Sequence, residues 1–180
     1  MIKKIDIQQI DHVEFITYDN PGWGIIIFLK YLLSIERIIV RRNSISDSDF
    51  LIQVIDGNRL ETKGSSTNLL ELFIYILDFF KIPLNILDEE LISLIVWFQK
   101  WYTNECDEYW EHLYGIKGEM NEKGDVFIQI DLDETIWGDE YFKPVLKCEK
   151  IDTKFIIKCK FSELVDNLII FKNWIKSLQD

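Results

Sequence analysis

The hydrophobic period of this sequence changes twice from two residues to about 3.6, and that order restricts the fold more than any other feature. Alternating apolar and polar residues predict four strands, after which apolar residues recur at helical spacing from Leu69 to Phe80. The same order of four strands and a helix returns between Gly115 and Leu178. The pattern therefore predicts an α+β fold of antiparallel strands covered by helices.

The predicted strands are short and are joined by polar turns. Asp19-Asn20-Pro21-Gly22 has the residue types of a tight turn, so residues 13–18 and 23–29 are predicted to form a hairpin. The other predicted strands are residues 35–41 and 50–55 in the first half, and residues 115–119, 126–132, 142–148 and 155–160 in the second half. Each half thus contains four predicted strands.

Three amphipathic helices are predicted from the apolar spacing. The first has Ser66 or Thr67 as its N-cap and ends before Pro83. The second begins at residues 87–90, with acidic residues in its first turn, and extends to Tyr102. The last follows Ser162 as its N-cap and runs to the end of the chain.

The two halves align as an internal repeat. Residues 15–29 correspond to residues 116–132 at an offset of about 103, and the helices that end the halves correspond at an offset of about 95. We predict two antiparallel four-stranded sheets, each followed by a helix and related by a pseudo-twofold axis, with an additional helix linking the halves. The first ββββα unit is residues 10–84, and residues 85–180 contain the linking helix and the second unit. Since neither half has much core of its own, we expect residues 1–180 to form a single cooperative domain.

The net charge of −11 is concentrated in one window of the sequence. Between Asn104 and Glu140 there are twelve acidic residues and two lysines. Such a window repels a phosphate backbone, so direct nucleic-acid binding is not expected. A protein partner should instead be basic, and it should meet the chain in this window.

The cysteines and the apolar runs indicate the cellular compartment. Cys106, Cys148 and Cys159 are odd in number and form no CxxC motif, which predicts reduced thiols without a disulfide framework or a zinc ribbon. The N-terminus has no apolar signal region, and charged residues interrupt every apolar run well before the ~20 residues of a membrane span. We therefore expect a soluble cytoplasmic protein without membrane contact.

Four neighbouring residues, Cys106, Asp107, Glu111 and His112, have side chains suited to metal binding or hydrolysis. A zinc site needs about four ligands, and the other histidine, His12, is remote in the sequence. We therefore predict no metal, no cofactor and no catalytic residue. Two alternatives stay open: a small hydrolase or transferase that uses Cys106 and His112, and a module that stacks single-stranded nucleic acid on aromatic side chains.

A motif in the aromatic segment resembles a known family. The motif is Trp101-Tyr102-x-x-x-Cys106-Asp107-x-x-Trp110-Glu111-His112-x-Tyr114-Gly115-Ile116, followed by Ile130-Asp131-Leu132-x-x-Thr135. Its order and spacing resemble the immunity protein 53 family of bacterial polymorphic toxin systems, over about residues 91–175. In that family a Thr-Leu-Asp-Asn-Pro-Gly-Trp turn follows the signature, whereas here a similar turn occurs at residues 17–23. The family also usually has a glycine where this chain has Glu108.

The resemblance implies a protein of contact-dependent growth inhibition systems that is not an enzyme. It would bind a cognate antibacterial toxin, expected to be a basic nuclease, in the cytosol of the producing cell and block its active site or substrate cleft. Trp110 and Trp137 lie among acids and are predicted to be half-exposed, with Trp137 as the interface anchor. The acidic residues expected to contact the toxin are Asp107, Glu108, Glu111, Asp133, Glu134, Asp139 and Glu140.

The remaining motif residues are expected to serve the fold. They are Asp19, Asn20, Pro21, Gly22, Trp23, Trp101, Tyr102, Cys106, Trp110, His112, Tyr114 and Gly115.

Overall fold

The main element of the protein is one antiparallel sheet, seen in a computed structural model that describes residues 7–34, 36–46 and 49–179. Within these residues the sheet has nine strands in the order β3-β4-β5-β2-β1-β6-β7-β9-β8. The strands are β1 (Ile10–Tyr18), β2 (Gly22–Leu29), β3 (Ile38–Ser46), β4 (Asp49–Asp56), β5 (Arg59–Ser65), β6 (Ile116–Met120), β7 (Asp125–Asp131), β8 (Cys148–Ile151) and β9 (Lys154–Lys160). The mixed α+β class is therefore confirmed.

Helices α1 (Leu69–Phe79), α2 (Glu89–Glu105) and α4 (Leu164–Ser177) pack against the sheet, and α3 (Trp110–Leu113) is a single turn. Alternate residues of β2, from Trp23 to Leu29, share one apolar core with Leu72 of α1, Phe98 of α2 and Phe171 of α4. In the described part of the chain, none of the helices has the length and apolar character that crossing a membrane would require. The central helix α2 therefore completes a core to which both halves of the sheet contribute.

The prediction of two separate four-stranded sheets is wrong, because β1 pairs with β6. Their antiparallel register runs from Val13 opposite Met120 to Ile16 opposite Lys117. This pairing makes one continuous sheet and satisfies backbone groups that would otherwise form two open edges.

Two predicted strands differ from the observed ones, and one observed strand was not predicted. Residues 59–65 lie outside every predicted strand but form β5, in which Leu60 and Thr62 are buried while Arg59, Glu61 and Lys63 are half-buried. Residues 142–148 are mostly irregular, since Pro144 cannot donate to a ladder, and the strand begins only at Cys148. The strand predicted for residues 35–41 begins at Ile38, and Ile35 lies outside the described residues.

The helix termini also differ in detail from the predicted caps. Helix α1 follows Asn68 and α4 follows Glu163, so neither Ser66, Thr67 nor Ser162 is the N-cap. Helix α2 does begin among acidic residues, and the Asp88 carboxylate accepts a hydrogen bond from the Leu91 amide at 2.8 Å. That bond satisfies one of the free donors at the helix start.

A threonine at the end of β1 fixes the start of β6. The Thr17 hydroxyl accepts a hydrogen bond from the Ile116 amide at 2.9 Å and can donate to the Ile116 carbonyl at 3.3 Å. Gly115 approaches so closely that a Cβ on it would lie 2.2 Å from Thr17 Oγ1. The junction of the two halves therefore depends on a hydroxyl on one side and on the absence of a side chain on the other.

Helix α2 is attached to the same region by polar contacts. The Tyr102 hydroxyl donates to the Tyr18 carbonyl at 3.3 Å, and the Thr103 hydroxyl donates to the Ser66 carbonyl at 3.1 Å. Trp23 Nε1 donates to the same Ser66 carbonyl at 2.8 Å, and its ring packs on Tyr102 with centroids 4.4 Å apart. The β1–β2 hairpin and α2 are thereby held together.

Replacing Thr17 tests this junction. We expect Thr17→Val to lower the free energy of unfolding by about 1–3 kcal/mol, because the shape is kept while the Ile116 amide loses its partner. Urea unfolding followed by tryptophan fluorescence measures the change. Thr17→Ser is the matched control, since it keeps the hydroxyl. Equal stability of Thr17→Val and the wild type would contradict this role.

Candidate functional site

The aromatic signature folds into the end of α2, a loop over residues 106–109 and the single turn of α3. Its tryptophans face the core. The Trp101 ring lies 5.2 Å from the Phe171 ring of α4 and 6.3 Å from the Trp110 ring, both edge to face. Trp101 and Trp110 therefore pack between the loop and the core. The prediction that Trp110 is half-exposed is wrong, because this side chain is buried.

The carboxylate of Glu111 holds this loop from inside. Glu111 is only 5% exposed, and its two oxygens accept hydrogen bonds from the amides of Asp107 and Glu108, each at 3.0 Å. Because charge-assisted bonds to a buried carboxylate are stronger than neutral ones, Glu111 organises the backbone of the loop. It is thereby withdrawn from the exposed surface on which the sequence had placed it.

Asp107 holds the same loop from outside. Its carboxylate accepts hydrogen bonds from the Trp110 amide at 2.9 Å and the Tyr109 amide at 3.1 Å. These backbone donors, that of Trp110 first, lower the pKa of Asp107 below its usual value, so the exposed carboxylate is ionised at neutral pH. Between the two acids, Glu108 has a positive φ of 72°. A glycine adopts this conformation without steric cost, which gives a physical reason for the family's preference at this position.

A second loop, residues 132–142, lies against the first. Trp110 Nε1 donates to the Asp133 carbonyl at 2.9 Å, and Trp137 Nε1 donates to a Glu105 carboxylate oxygen at 3.1 Å. Burial raises the pKa of Glu105, although the bond from Trp137 opposes this effect. Trp137 itself is only 3% exposed, so the prediction of a half-exposed anchor at this residue is wrong.

The exposed side chains of the two loops form what we call the two-loop surface, comprising residues 107–109 and 133–141. Of the acids predicted to contact a partner, five are exposed and Asp133 is half-buried; the exposed ones are Asp107, Glu108, Glu134, Asp139 and Glu140. Three exposed apolar side chains accompany them and were missed from the sequence: Tyr109, Ile136 and Tyr141. In the dipeptide Ile136-Trp137 one side chain had to face outward, and no periodic pattern indicated which.

The thiol of Cys106 is poorly suited to act as a nucleophile. It donates to the Tyr102 carbonyl at 3.2 Å, and burial together with the charge of Glu111 raises its pKa to about 12. A nucleophilic cysteine needs the opposite environment, one that favours the thiolate. His112 follows Glu111 on α3 and is exposed. The geometry thus gives the hydrolase or transferase alternative no support.

Among the residues that the structure describes, the carboxylate, thiol and imidazole groups do not form a metal site. Within residues 7–34, 36–46 and 49–179, no three histidine, cysteine, aspartate or glutamate side chains are placed to hold a metal ion together.

The turn motif of the first half connects two neighbouring strands of the sheet. Asp19, Asn20 and Pro21 connect β1 to β2 as predicted, and the Asp19 carboxylate accepts a hydrogen bond from the Asn20 amide at 2.9 Å. The Pro21 carbonyl accepts from the Ser66 amide at 3.0 Å, and Trp23 is fully buried. Gly22, Tyr102 and Gly115 are buried, and Tyr114 is half-buried.

The part of the chain that contains the two-loop surface matches a known protein family. Residues 95–176 match the family model described as Immunity protein 53. The match includes α2 from Ile95, both loops, β6 to β9 and most of α4, and it leaves β1 to β5 and α1 outside. No curated protein and no solved structure matches the chain.

Alkylation tests the state of the thiols. With a pKa of about 12, roughly one Cys106 thiol in ten thousand is ionised at pH 8. Burial also raises the pKa of Cys148, to about 12, and that of Cys159. We expect iodoacetamide at pH 8 to modify the native chain far more slowly than the urea-unfolded chain, as followed by mass spectrometry. Rapid modification of Cys106 in the folded protein would contradict this assignment.

A pair of tryptophan substitutions tests how the two loops are joined. Trp110→Phe removes the hydrogen bond to Asp133, whereas Trp101→Phe removes a ring nitrogen that has no hydrogen-bond partner among the described residues. We expect Trp110→Phe to be less stable than Trp101→Phe by about 1 kcal/mol and to exchange the amides of residues 133–135 faster. Equal stability and equal exchange would show that this bond does not hold the loop.

Proposed function

We propose that the chain is an immunity protein that binds a cognate antibacterial toxin domain and neutralises it in the cytoplasm of the producing cell. The observation that carries this proposal is the match of residues 95–176 to Immunity protein 53. The matched region also contains the window between Asn104 and Glu140, which has twelve acidic residues and only two lysines. Binding a protein partner is thus assigned to the two-loop surface.

The charge of this surface supports a basic partner. Asp107, Glu108, Glu134, Asp139 and Glu140 are exposed. The ammonium of Lys150, close to Asp139 and Glu140, donates to the carbonyls of Gly138 and Asp152, each at 2.6 Å. Exposed carboxylates raise the association rate with a basic protein and disfavour binding of acidic proteins. Because nucleases bind phosphates with basic clefts, we propose a nuclease whose substrate cleft the carboxylates occupy.

Neither of the other two functions has comparable support. A Cys106-dependent enzyme would need a thiolate where the surroundings favour the neutral thiol. A binder of single-stranded nucleic acid would need a basic groove, whereas this chain has a net charge of −11.

We also propose that the chain contains a duplicated ββββα unit and unfolds as one cooperative domain. The strand register supports the duplication. Phe15 lies opposite Ile25 in the first hairpin and Gly118 opposite Ile128 in the second, an offset of 103. Val54 opposite Glu61 corresponds to Glu149 opposite Ile156 at an offset of 95, and the helices that follow, α1 and α4, begin 95 residues apart. Strand β3 is an addition to the first unit.

Charge reversal tests the surface and the partner's charge together. The probe is an inactivated form of the toxin domain encoded by the neighbouring gene. We expect the triple variant Glu134→Lys, Asp139→Lys, Glu140→Lys to weaken binding to it by about 100-fold or more at low salt. Growth rescue upon co-expression with the active toxin should be lost as well. Calorimetric titration measures the affinity, and the weakening should shrink as salt is raised.

The matched control carries the same charge change elsewhere. Glu36, Asp56 and Glu90 are exposed acids outside the two loops, and their conversion to lysine should leave affinity and rescue nearly unchanged. Equal loss in both triple variants would indicate dependence on net charge alone, and would contradict the assignment to the two-loop surface.

A further inference from the structure

One apolar side chain of the two-loop surface contributes nothing to the core. Ile136 is 76% exposed, whereas Leu132 and Trp137 on either side of it are buried. Single exposed apolar residues are common on protein surfaces, so exposure alone has no functional meaning. What distinguishes Ile136 is how firmly its backbone is held and what surrounds it.

The backbone on both sides of Ile136 is fixed by hydrogen bonds. The Thr135 hydroxyl donates to the Leu132 carbonyl at 2.6 Å and accepts from the Trp137 amide at 3.2 Å. The Gly138 amide donates to the Thr135 carbonyl at 3.2 Å, and the buried Trp137 ring is tied to Glu105. A β-branched side chain on such a turn has few rotamers to lose. The ordering that binding usually requires is therefore already present.

The two-loop surface, to which Ile136 belongs, has the side-chain types of an interface centre. On the neighbouring loop Tyr109 is 56% exposed, and the two loops are joined by the bond from Trp110 to Asp133. Desolvation raises the pKa of the Tyr114 phenol, and the nearby charges of Asp133 and Glu134 raise it further. Apolar and aromatic side chains surrounded by charged ones are typical of binding hot spots with a polar rim.

We propose, on the basis of the function proposed above, that Ile136 is the apolar anchor of the toxin-binding surface, with Tyr109 as the exposed aromatic side chain of the other loop. The rim consists of Asp107, Glu108, Asp133 and Glu134. The occupant is a toxin domain that presents an apolar socket bordered by lysine or arginine. The apolar contact supplies affinity, while the carboxylates select the partner and orient it.

Charge complementarity decides between the possible occupants of this surface. A second copy of the chain in a symmetric contact would bring the same carboxylates against one another, which is unfavourable. Nucleic acid would be repelled by the same groups. A basic protein meets both requirements of the surface, the apolar centre and the acidic rim.

Alanine substitution tests the anchor. We expect Ile136→Ala to raise the Kd for the inactivated toxin domain at least about tenfold in a calorimetric titration. The urea unfolding midpoint should stay the same, because the side chain is mostly in water. Ile86→Ala is the matched control, since Ile86 is 59% exposed in the turn between α1 and α2. It should leave the Kd unchanged.

The possible outcomes separate the anchor from the function as a whole. An unchanged Kd for Ile136→Ala, with binding still weakened by the charge-reversed triple variant, would overturn the anchor and leave the proposed function standing. Failure of the wild type to bind the toxin domain would overturn both. A wild-type dimer in light scattering that Ile136→Ala converts to a monomer would assign the side chain to a second copy, against the proposal.

Discussion

The antiparallel pairing of β1 with β6 is the interaction on which the rest of the structure depends. It converts two groups of strands into one nine-stranded sheet and brings the signature helix α2 over the middle of that sheet. Gly115 approaches Thr17 closely, and the Ile116 amide donates a hydrogen bond to the Thr17 hydroxyl, so the start of β6 is held against the end of β1. The loops of the acidic window, which precede and follow β6 and β7, are thereby fixed relative to β1. Without this junction each half would expose a strand edge and part of its core.

Trp110 connects the apolar core to the two-loop surface. Trp110 packs among Trp101, Tyr102 and Tyr114, and its indole nitrogen reaches the second loop. Replacing a buried tryptophan by alanine typically lowers the free energy of unfolding by about 3–5 kcal/mol, so a substitution of Trp110 would destabilise the fold whatever its effect on binding. The buried tryptophans of the signature therefore hold the two loops in place, while Asp107 and the neighbouring side chains of the loops are exposed.

The sequence was sufficient where local patterns decide the structure. The hairpin around Asp19–Pro21, the helices α1 and α4 and the acidic start of α2 all follow from turn chemistry, apolar spacing and acidic residues in the first helical turn, although the predicted N-caps of α1 and α4 were wrong. The sequence was insufficient where partners distant in the chain decide. Strand β5 is polar at every second residue and ends in glycine and serine, so only its place between β2 and β4 makes it a strand. The joining of the sheets depends on β1 meeting β6, which no local pattern encodes.

The candidate site shows the same division. Charge counting located the acidic window, because charge is a property of composition and not of register. It could not distinguish Glu111, which accepts hydrogen bonds from two amides inside the protein, from Asp107, which is exposed to solvent and accepts hydrogen bonds from the Tyr109 and Trp110 amides. Nor could it tell that Trp137 turns inward to Glu105 and leaves Ile136 outside. Such distinctions depend on how two loops meet in space.

The most direct test of the two-loop surface is amide hydrogen exchange of the chain alone and in complex with the proposed toxin domain. We expect slower exchange in residues 105–113 and 132–142 upon binding, with β3, β4 and β5 unchanged. Protection confined to β3, β4 and β5, or a complex in which neither loop is protected, would contradict it.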